Sequence, residues 1–133
     1  MSSNNLKYLG KYFGEALEFR HTLNVETDRG CALMVSAYLD NQLERLLRAY
    51  FIKDKKSSDR LLNPFGPIGS FSARIQLCYA LGLISKLVCR DLNLIRDIRN
   101  DFAHEAEPLE FNSEKIKTQC NKLHHCNIAD DSN

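Results

Sequence analysis

The segment TDRGCALMVSAYLDNQLERLLRAYF, residues 27–51, decides the fold because it has the clearest helical period in the chain. Its large apolar residues recur every three or four positions, which is typical of an amphipathic helix with one buried face. These residues are Val35, Leu39, Leu43, Leu46 and Tyr50. Thr27 and Asp28 precede the first turn, where short polar side chains accept hydrogen bonds from unpaired amides. The pattern predicts a helix that runs to about Lys53.

A similar period precedes this segment. Residues 6–24 predict a first amphipathic helix, because apolar side chains recur there at helical spacing. The stripe consists of Leu6, Leu9, Phe13, Leu17 and His21. After the segment, residues 53–69 contain two Pro and two Gly and predict an irregular connection, in which the basic run KDKKSSDR is a solvated loop.

Three more helices are predicted after this connection. Ser70 caps a largely apolar helix, expected near the middle of the bundle, with Phe71, Ile75, Cys78 and Tyr79 on one stripe. Ser85 caps the next helix, which runs to about Ala103 with Leu87, Leu94 or Ile95, Ile98 and Phe102 facing inward. Asn112 or Ser113 begins a shorter one. Because no alternating strand pattern occurs, the predicted fold class is all-α, a compact bundle of about five helices.

The length and composition indicate one ordinary globular domain. The chain has 133 residues, of which 44% are hydrophobic and 26% charged, and no apolar stretch is long enough to span a membrane. We expect a single domain over 1–133, with a core at about 6–123 and a frayed tail from about His125. The N-terminus lacks the features of a signal peptide, so we expect a cytoplasmic protein. Five cysteines without framework spacing argue against structural disulfides.

The charge balance does not favour nucleic acid as the main partner. The net charge is +1, so the chain as a whole gains little from counterion release at phosphates. The charge is uneven, however: residues 54–104 carry eight Lys and Arg against five Asp, whereas residues 105–133 carry three Lys against six acidic residues. Residues 54–104 could therefore form a modestly basic face, and weak DNA binding stays possible.

One polar face on the helix before Ala103 is the candidate site. Its members follow one another at intervals of four, three and four residues, with two arginines beside them. The predicted binding face consists of Asn93, Arg96, Asp97, Arg99, Asn100 and His104. The solvent-facing side of an ordinary helix has the same polar character, so the face need not be a site at all. A third interpretation is that it docks a partner and has no chemistry of its own.

Arg99 and His104 would suit RNA cleavage without a metal ion. They lie about 140° apart around an ideal helix and about 7.5 Å apart along it, a span that an arginine side chain can cover. A histidine can move protons at a ribose hydroxyl, and a guanidinium can hold the scissile phosphate. In the catalytic alternative Arg99, Asn100 and His104 form the site, with Asn100 orienting one of the others.

Only one group of residues suggests a metal site. The sequence CNKLHHC offers Cys120, His124 and Cys126 as soft and borderline ligands, but a second ligand pair is missing. We therefore predict neither a metal nor a cofactor.

Three long segments resemble the mannitol operon repressor family of bacterial regulators. They are TDRGCALMVSAYLDNQLERLLRAYF, GPIGSFSARIQLCYALGLISK and RDLNLIRDIRNDFAH, and the resemblance covers roughly residues 25–123. It implies a compact all-α transcriptional repressor of sugar-alcohol uptake genes, without an obvious DNA-reading motif. Because the chain is shorter at its C-terminus than the repressors proper, we expect a paralogue that lacks the full C-terminus.

A second, shorter resemblance is to HEPN domains, helical proteins common among RNA-cutting toxins. Arg99, Asn100 and His104 match their Arg-Asn-x-x-x-His motif. The resemblance implies a HEPN-like bundle and, if the enzymes' site carries over, an endoribonuclease site shared across a dimer.

Together these observations predict a repressor-type regulator that acts mainly through protein–protein contacts. The apolar excess on the helices predicts a homodimer. RNA is the substrate in the alternative, a metal-independent endoribonuclease.

Overall fold

The computed structural model describes residues 3–106 and 108–124, and none of these residues forms a strand. Six helices follow one another along the chain: α1 (Ser3–Leu23), α2 (Asp28–Tyr50), α3 (Lys55–Leu62), α4 (Phe71–Ala80), α5 (Lys86–His104) and α6 (Glu114–Cys120). The all-α prediction is confirmed, with one helix more than the five expected. In the part of the chain described, no helix has the length and apolarity that a membrane span needs. The tail from His125 lies outside the described residues.

The additional helix is α3, and it corrects the prediction that the basic run KDKKSSDR is a loop. Asp54 caps this helix, its side chain accepting a hydrogen bond from the Ser57 amide at 3.1 Å. With eight residues, α3 is too short to show a repeating apolar stripe, so the sequence pattern did not reveal it.

Local capping fixes where the other helices begin and end. The hydroxyls of Thr27, Ser70 and Ser85 each accept a hydrogen bond from the amide three residues later, at 3.0, 3.1 and 3.2 Å. After α4, Gly82 adopts a left-handed conformation with φ of 73°. Its amide bonds to the Tyr79 carbonyl, and the next amide bonds to the Cys78 carbonyl, which together end the helix.

Helices α2, α4 and α5 pack against one another around the main core. Its buried members are Leu43, Leu47, Leu62, Phe71, Ile75, Cys78 and Leu92. A second buried cluster joins α2, α5 and α6 and consists of Ala32, Ile98, Phe102 and Ile116. Tyr50, Tyr79 and Leu87, which were predicted to face inward, are 56%, 40% and 43% exposed. Each lies in the first or last turn of its helix, where the neighbouring helices no longer cover it.

Helix α1 packs along α2 with one side only. Phe19 stacks on Tyr38 with ring centroids 4.3 Å apart. Arg45 pairs with Glu15 at 3.1 Å and lies over the Tyr12 ring, 4.8 Å from its centroid. These contacts place the α2-facing side of α1 about 120° away from the predicted apolar stripe on an ideal helix.

The apolar stripe predicted on α1 is therefore largely exposed to solvent. Leu9, Phe13 and Leu17 are 54%, 69% and 43% exposed. An amphipathic pattern shows that a helix has an apolar side but does not show which neighbour, if any, covers that side.

Candidate functional site

The predicted polar face forms on the outside of α5. Asp97 and His104 are exposed, and Asn93, Arg96, Arg99 and Asn100 are half-buried. Two of the six donate hydrogen bonds to residues outside this face. The Asn93 amide donates to the Cys89 carbonyl at 3.0 Å, and the Arg96 guanidinium donates to the Ser72 hydroxyl on α4.

The three residues of the catalytic alternative are only partly brought together. Arg99 Nε donates to Asn100 Oδ1 at 3.0 Å, so Asn100 orients the guanidinium, as the catalytic alternative requires of it. His104 is the last residue of α5 and is exposed to solvent. Among the described residues, no hydrogen bond links His104 to Arg99 or Asn100. The structure therefore shows a guanidinium held by Asn100 and an exposed imidazole on the same helix, with no described contact between them.

Arg74 on α4 is a buried cation with several partners, and no sequence pattern marks it. Its side chain is 7% exposed and bridges to α2. Nη1 lies 3.0 Å from Asp40 Oδ1 and 3.3 Å from Glu44 Oε2. Since an unpaired buried charge is strongly unfavourable, these two carboxylates are what makes the burial of Arg74 tolerable.

The network continues from Glu44 to α3. Arg48 contacts Glu44 at 3.0 Å and Asp59 at 2.8 Å, and Lys55 contacts Asp59 at 2.8 Å. The hydrogen bonds from Lys55 and then Arg48 lower the pKa of the Asp59 carboxyl below its ordinary value. Alternating charges thus join α2, α3 and α4 on one side of the bundle.

Arg74 also fixes the loop between α3 and α4. Its Nη2 donates to the Leu62 carbonyl at 2.8 Å, and its Nε donates to the Ile68 carbonyl at 3.1 Å. The loop backbone packs so closely that a Cβ at Gly69 would lie 2.3 Å from the Asn63 carbonyl oxygen. Both ends of the loop are therefore held by specific contacts.

This loop presents Phe65, whose side chain is completely exposed. The Phe65 amide donates to the Asn63 side chain at 2.9 Å, which helps to fix its backbone. A surface depression on the adjoining part of the chain is lined by Lys55, Lys56, Asp59, Arg60 and Asn63. An exposed aromatic side chain on a loop with a fixed backbone is suited to binding a protein surface, because aromatic anchors dominate many interfaces. A large apolar residue between Pro64 and Gly66 was the available sequence signal.

The predicted metal candidates do not assemble into a site in the part of the chain described. There, no three His, Cys, Asp or Glu side chains lie close enough to hold an ion. Cys120 ends α6, His124 follows shortly after, and Cys126 lies outside the described residues.

Two free thiols are also poor candidates for chemistry. Cys31 lines an apolar cavity of about 130 Å³ between α2, α5 and α6. Burial raises the pKa of the Cys31 and Cys78 thiols. Because the thiolate is the reactive form, a raised pKa makes both groups weak nucleophiles.

Comparison with known proteins shows one consistent set of relatives. The family model described as Mannitol repressor matches residues 19–132. The mannitol operon repressors of Escherichia coli K12 and of Escherichia coli O6:H1 strain CFT073 are each 27% identical over 103 residues, covering 74% of this chain and 53% of the relative. The chain therefore spans about half the length of the curated relatives it matches.

A similar fold occurs in the X-ray structure of the MtlR–HPr complex from Escherichia coli. The TM-score is 0.70 at 26% sequence identity, and the match covers 80% of this chain and 68% of that one. The similarity therefore includes most of the helical bundle.

Proposed function

The chain belongs to the mannitol repressor family, and on that premise we propose that it is a transcriptional regulator that acts by binding other proteins. The observation that carries this proposal is the similarity to a solved MtlR–HPr complex. A small partner protein of the HPr type is therefore the proposed ligand. Control of a mannitol-type operon would follow from that contact.

The charge distribution supports protein rather than DNA as the main ligand. The net charge is +1, and several cations of the described structure are already engaged in ion pairs. These cations are Arg45, Arg48, Lys55, Arg74, Arg96 and Lys115. Paired cations contribute less counterion release at phosphates, so DNA affinity from this source is small.

We infer that Phe65 is the anchor of the protein contact. Its side chain is fully exposed on a loop whose conformation is already fixed, so binding would cost little additional ordering. Lys56 and Arg60 lie on the adjacent exposed side of α3 and could pair with acidic groups of the partner. The polar face of α5 is the alternative surface, since Asp97 and His104 are exposed there.

Phe65→Ala is expected to weaken binding of HPr by about 30-fold, a loss typical of an aromatic hot spot. The measurement is isothermal titration calorimetry of the purified protein with HPr from the same bacterium. Val25→Ala is the matched control, because it also shortens an exposed apolar side chain, in the turn between α1 and α2, and should leave the affinity unchanged.

Two outcomes would count against this assignment. Absence of binding at about 100 micromolar HPr, a weak limit for a specific contact, would remove the proposed partner. Unchanged binding by Phe65→Ala with a loss in Asp97→Ala or His104→Ala would move the contact to α5.

RNA cleavage is a second candidate function, favoured by the Arg99–Asn100 hydrogen bond at 3.0 Å. We nevertheless expect RNA to stay intact when it is incubated with the protein in EDTA. The reason is that His104 is not held near the Arg99 guanidinium by any described contact, so proton transfer and phosphate binding are not coupled. Cleavage by the wild type that is lost in His104→Ala would show the opposite.

A further inference from the structure

Helix α1 has an apolar stripe that the described structure leaves largely exposed. Leu9, Phe13 and Leu17 recur at intervals of four residues and lie within about 80° of one another on an ideal helix. Phe13, the central member, is 69% exposed. Three large apolar side chains that are contiguous on one helix side and exposed together mark an interaction surface more strongly than single exposed ones do.

The stripe is self-complementary when a second copy of α1 runs antiparallel to it. With a two-fold axis at Phe13, Leu9 of one helix lies opposite Leu17 of the other, because both are four residues from the centre. The two Phe13 side chains meet at the axis. A parallel pairing would also set leucine against leucine, so the stripe provides the apolar contact and the charges beside it decide the orientation.

The charges on the flank of the stripe follow the same symmetry. Lys7 and Glu18 are both exposed and project from the same flank, within about 20° of each other on an ideal helix. They lie six residues before and five residues after Phe13. The antiparallel pairing therefore places Lys7 of each copy near Glu18 of the other, which gives two equivalent ion pairs. In a parallel pair the two-fold axis runs along the helices, so the Lys7–Glu18 flanks of the two copies lie on opposite sides of the interface and form no such pairs.

Two glycines leave room for close approach on that flank. Gly10 and Gly14 lie between the stripe and the charged pair, and a Cβ at either position would meet no atom within 4 Å. A glycine inside a helix costs about 1 kcal/mol relative to alanine, and nothing within the bundle requires either one. The open surface beside them could accept the backbone or side chains of a second helix.

We propose that the chain forms a homodimer through antiparallel pairing of α1 about Phe13. Burial of the two stripes drives the association, and the Lys7–Glu18 pairs select the antiparallel orientation. The interface uses the exposed side of α1, so the contacts of Tyr12 and Phe19 with α2 are unchanged. It is also separate from the Phe65 loop, so dimerisation and partner binding can be tested independently.

The first test is sedimentation velocity over a concentration series. Wild-type protein should associate reversibly to a dimer, and Phe13→Glu should raise the dimer dissociation constant at least tenfold by placing two carboxylates at the axis. Ile52→Glu is the matched control, since it adds the same charge at an exposed apolar side chain outside α1 and should dimerise like the wild type. Circular dichroism verifies that each variant keeps its helix content.

A charge exchange tests the antiparallel geometry itself. Lys7→Glu and Glu18→Lys should each weaken the dimer, because each creates two like-charge contacts. The double variant Lys7→Glu/Glu18→Lys should restore the dimer to within about threefold of the wild type, because both contacts are re-formed with reversed signs. Monomeric wild-type protein throughout the series, normal dimerisation of Phe13→Glu, or failure of the double variant to recover would each overturn the proposal.

Discussion

Arg74→Met is expected to lower the free energy of unfolding by about 3 to 5 kcal/mol, the loss typical when one partner of a buried ion pair is removed. Methionine keeps most of the volume of the side chain but none of its donors. The change removes the described partner of the Asp40 carboxylate. It also removes the hydrogen-bond donors of the Leu62 and Ile68 carbonyls. Since small domains are stable by about 5 to 15 kcal/mol, this loss would be a large fraction of the total. The measurement is urea denaturation followed by circular dichroism.

Arg45→Met is the matched control for this experiment. Arg45 also forms an ion pair with a carboxylate, but both side chains of that pair are about 40% exposed. Exposed pairs contribute about 0 to 1 kcal/mol, so the control should change stability little. A loss below about 1 kcal/mol in Arg74→Met would contradict a central role for Arg74 in joining α2 to the loop.

Local signals in the sequence were sufficient to place most of the helices. Thr27, Ser70 and Ser85 each cap a helix in the predicted position, because a cap depends on contacts within three residues. Helix α3 was missed because its Asp54 cap precedes a run too short for periodicity. The side of α1 that packs on α2 could not be read from its period, because that side depends on the neighbouring helix and not on the pattern of α1 alone.

The candidate site was less predictable because its contacts are distant in sequence. The polar face of α5 could be read from spacing, and the Arg99–Asn100 contact involves adjacent residues. By contrast, Arg74 and Asp40 are 34 residues apart, and the sequence around each residue contains no pattern that predicts their contact. The full exposure of Phe65 likewise depends on how Arg74 holds the loop, so no local pattern could establish it.

Phe102→Ala should be the most damaging change in the second core cluster, with a loss of about 3 to 5 kcal/mol in the free energy of unfolding. The Phe102 ring is completely buried and meets Phe111 edge to face, with centroids 5.4 Å apart. Truncation removes that contact and leaves a cavity between α2, α5 and α6, because the surrounding helices can relax only in part.

The matched control is Phe65→Ala, which makes the same chemical change at a fully exposed position and should alter stability by less than about 0.5 kcal/mol. Urea denaturation of both variants measures the difference directly. Equal stabilities would mean that Phe102 is not packed as described and that α6 is not held to α5 through this cluster. A large loss confined to Phe102→Ala would show that the bundle depends on its second core, whereas Phe65 stays free to serve binding. The same truncation at two phenylalanines thus separates a residue that maintains the fold from one available to a partner.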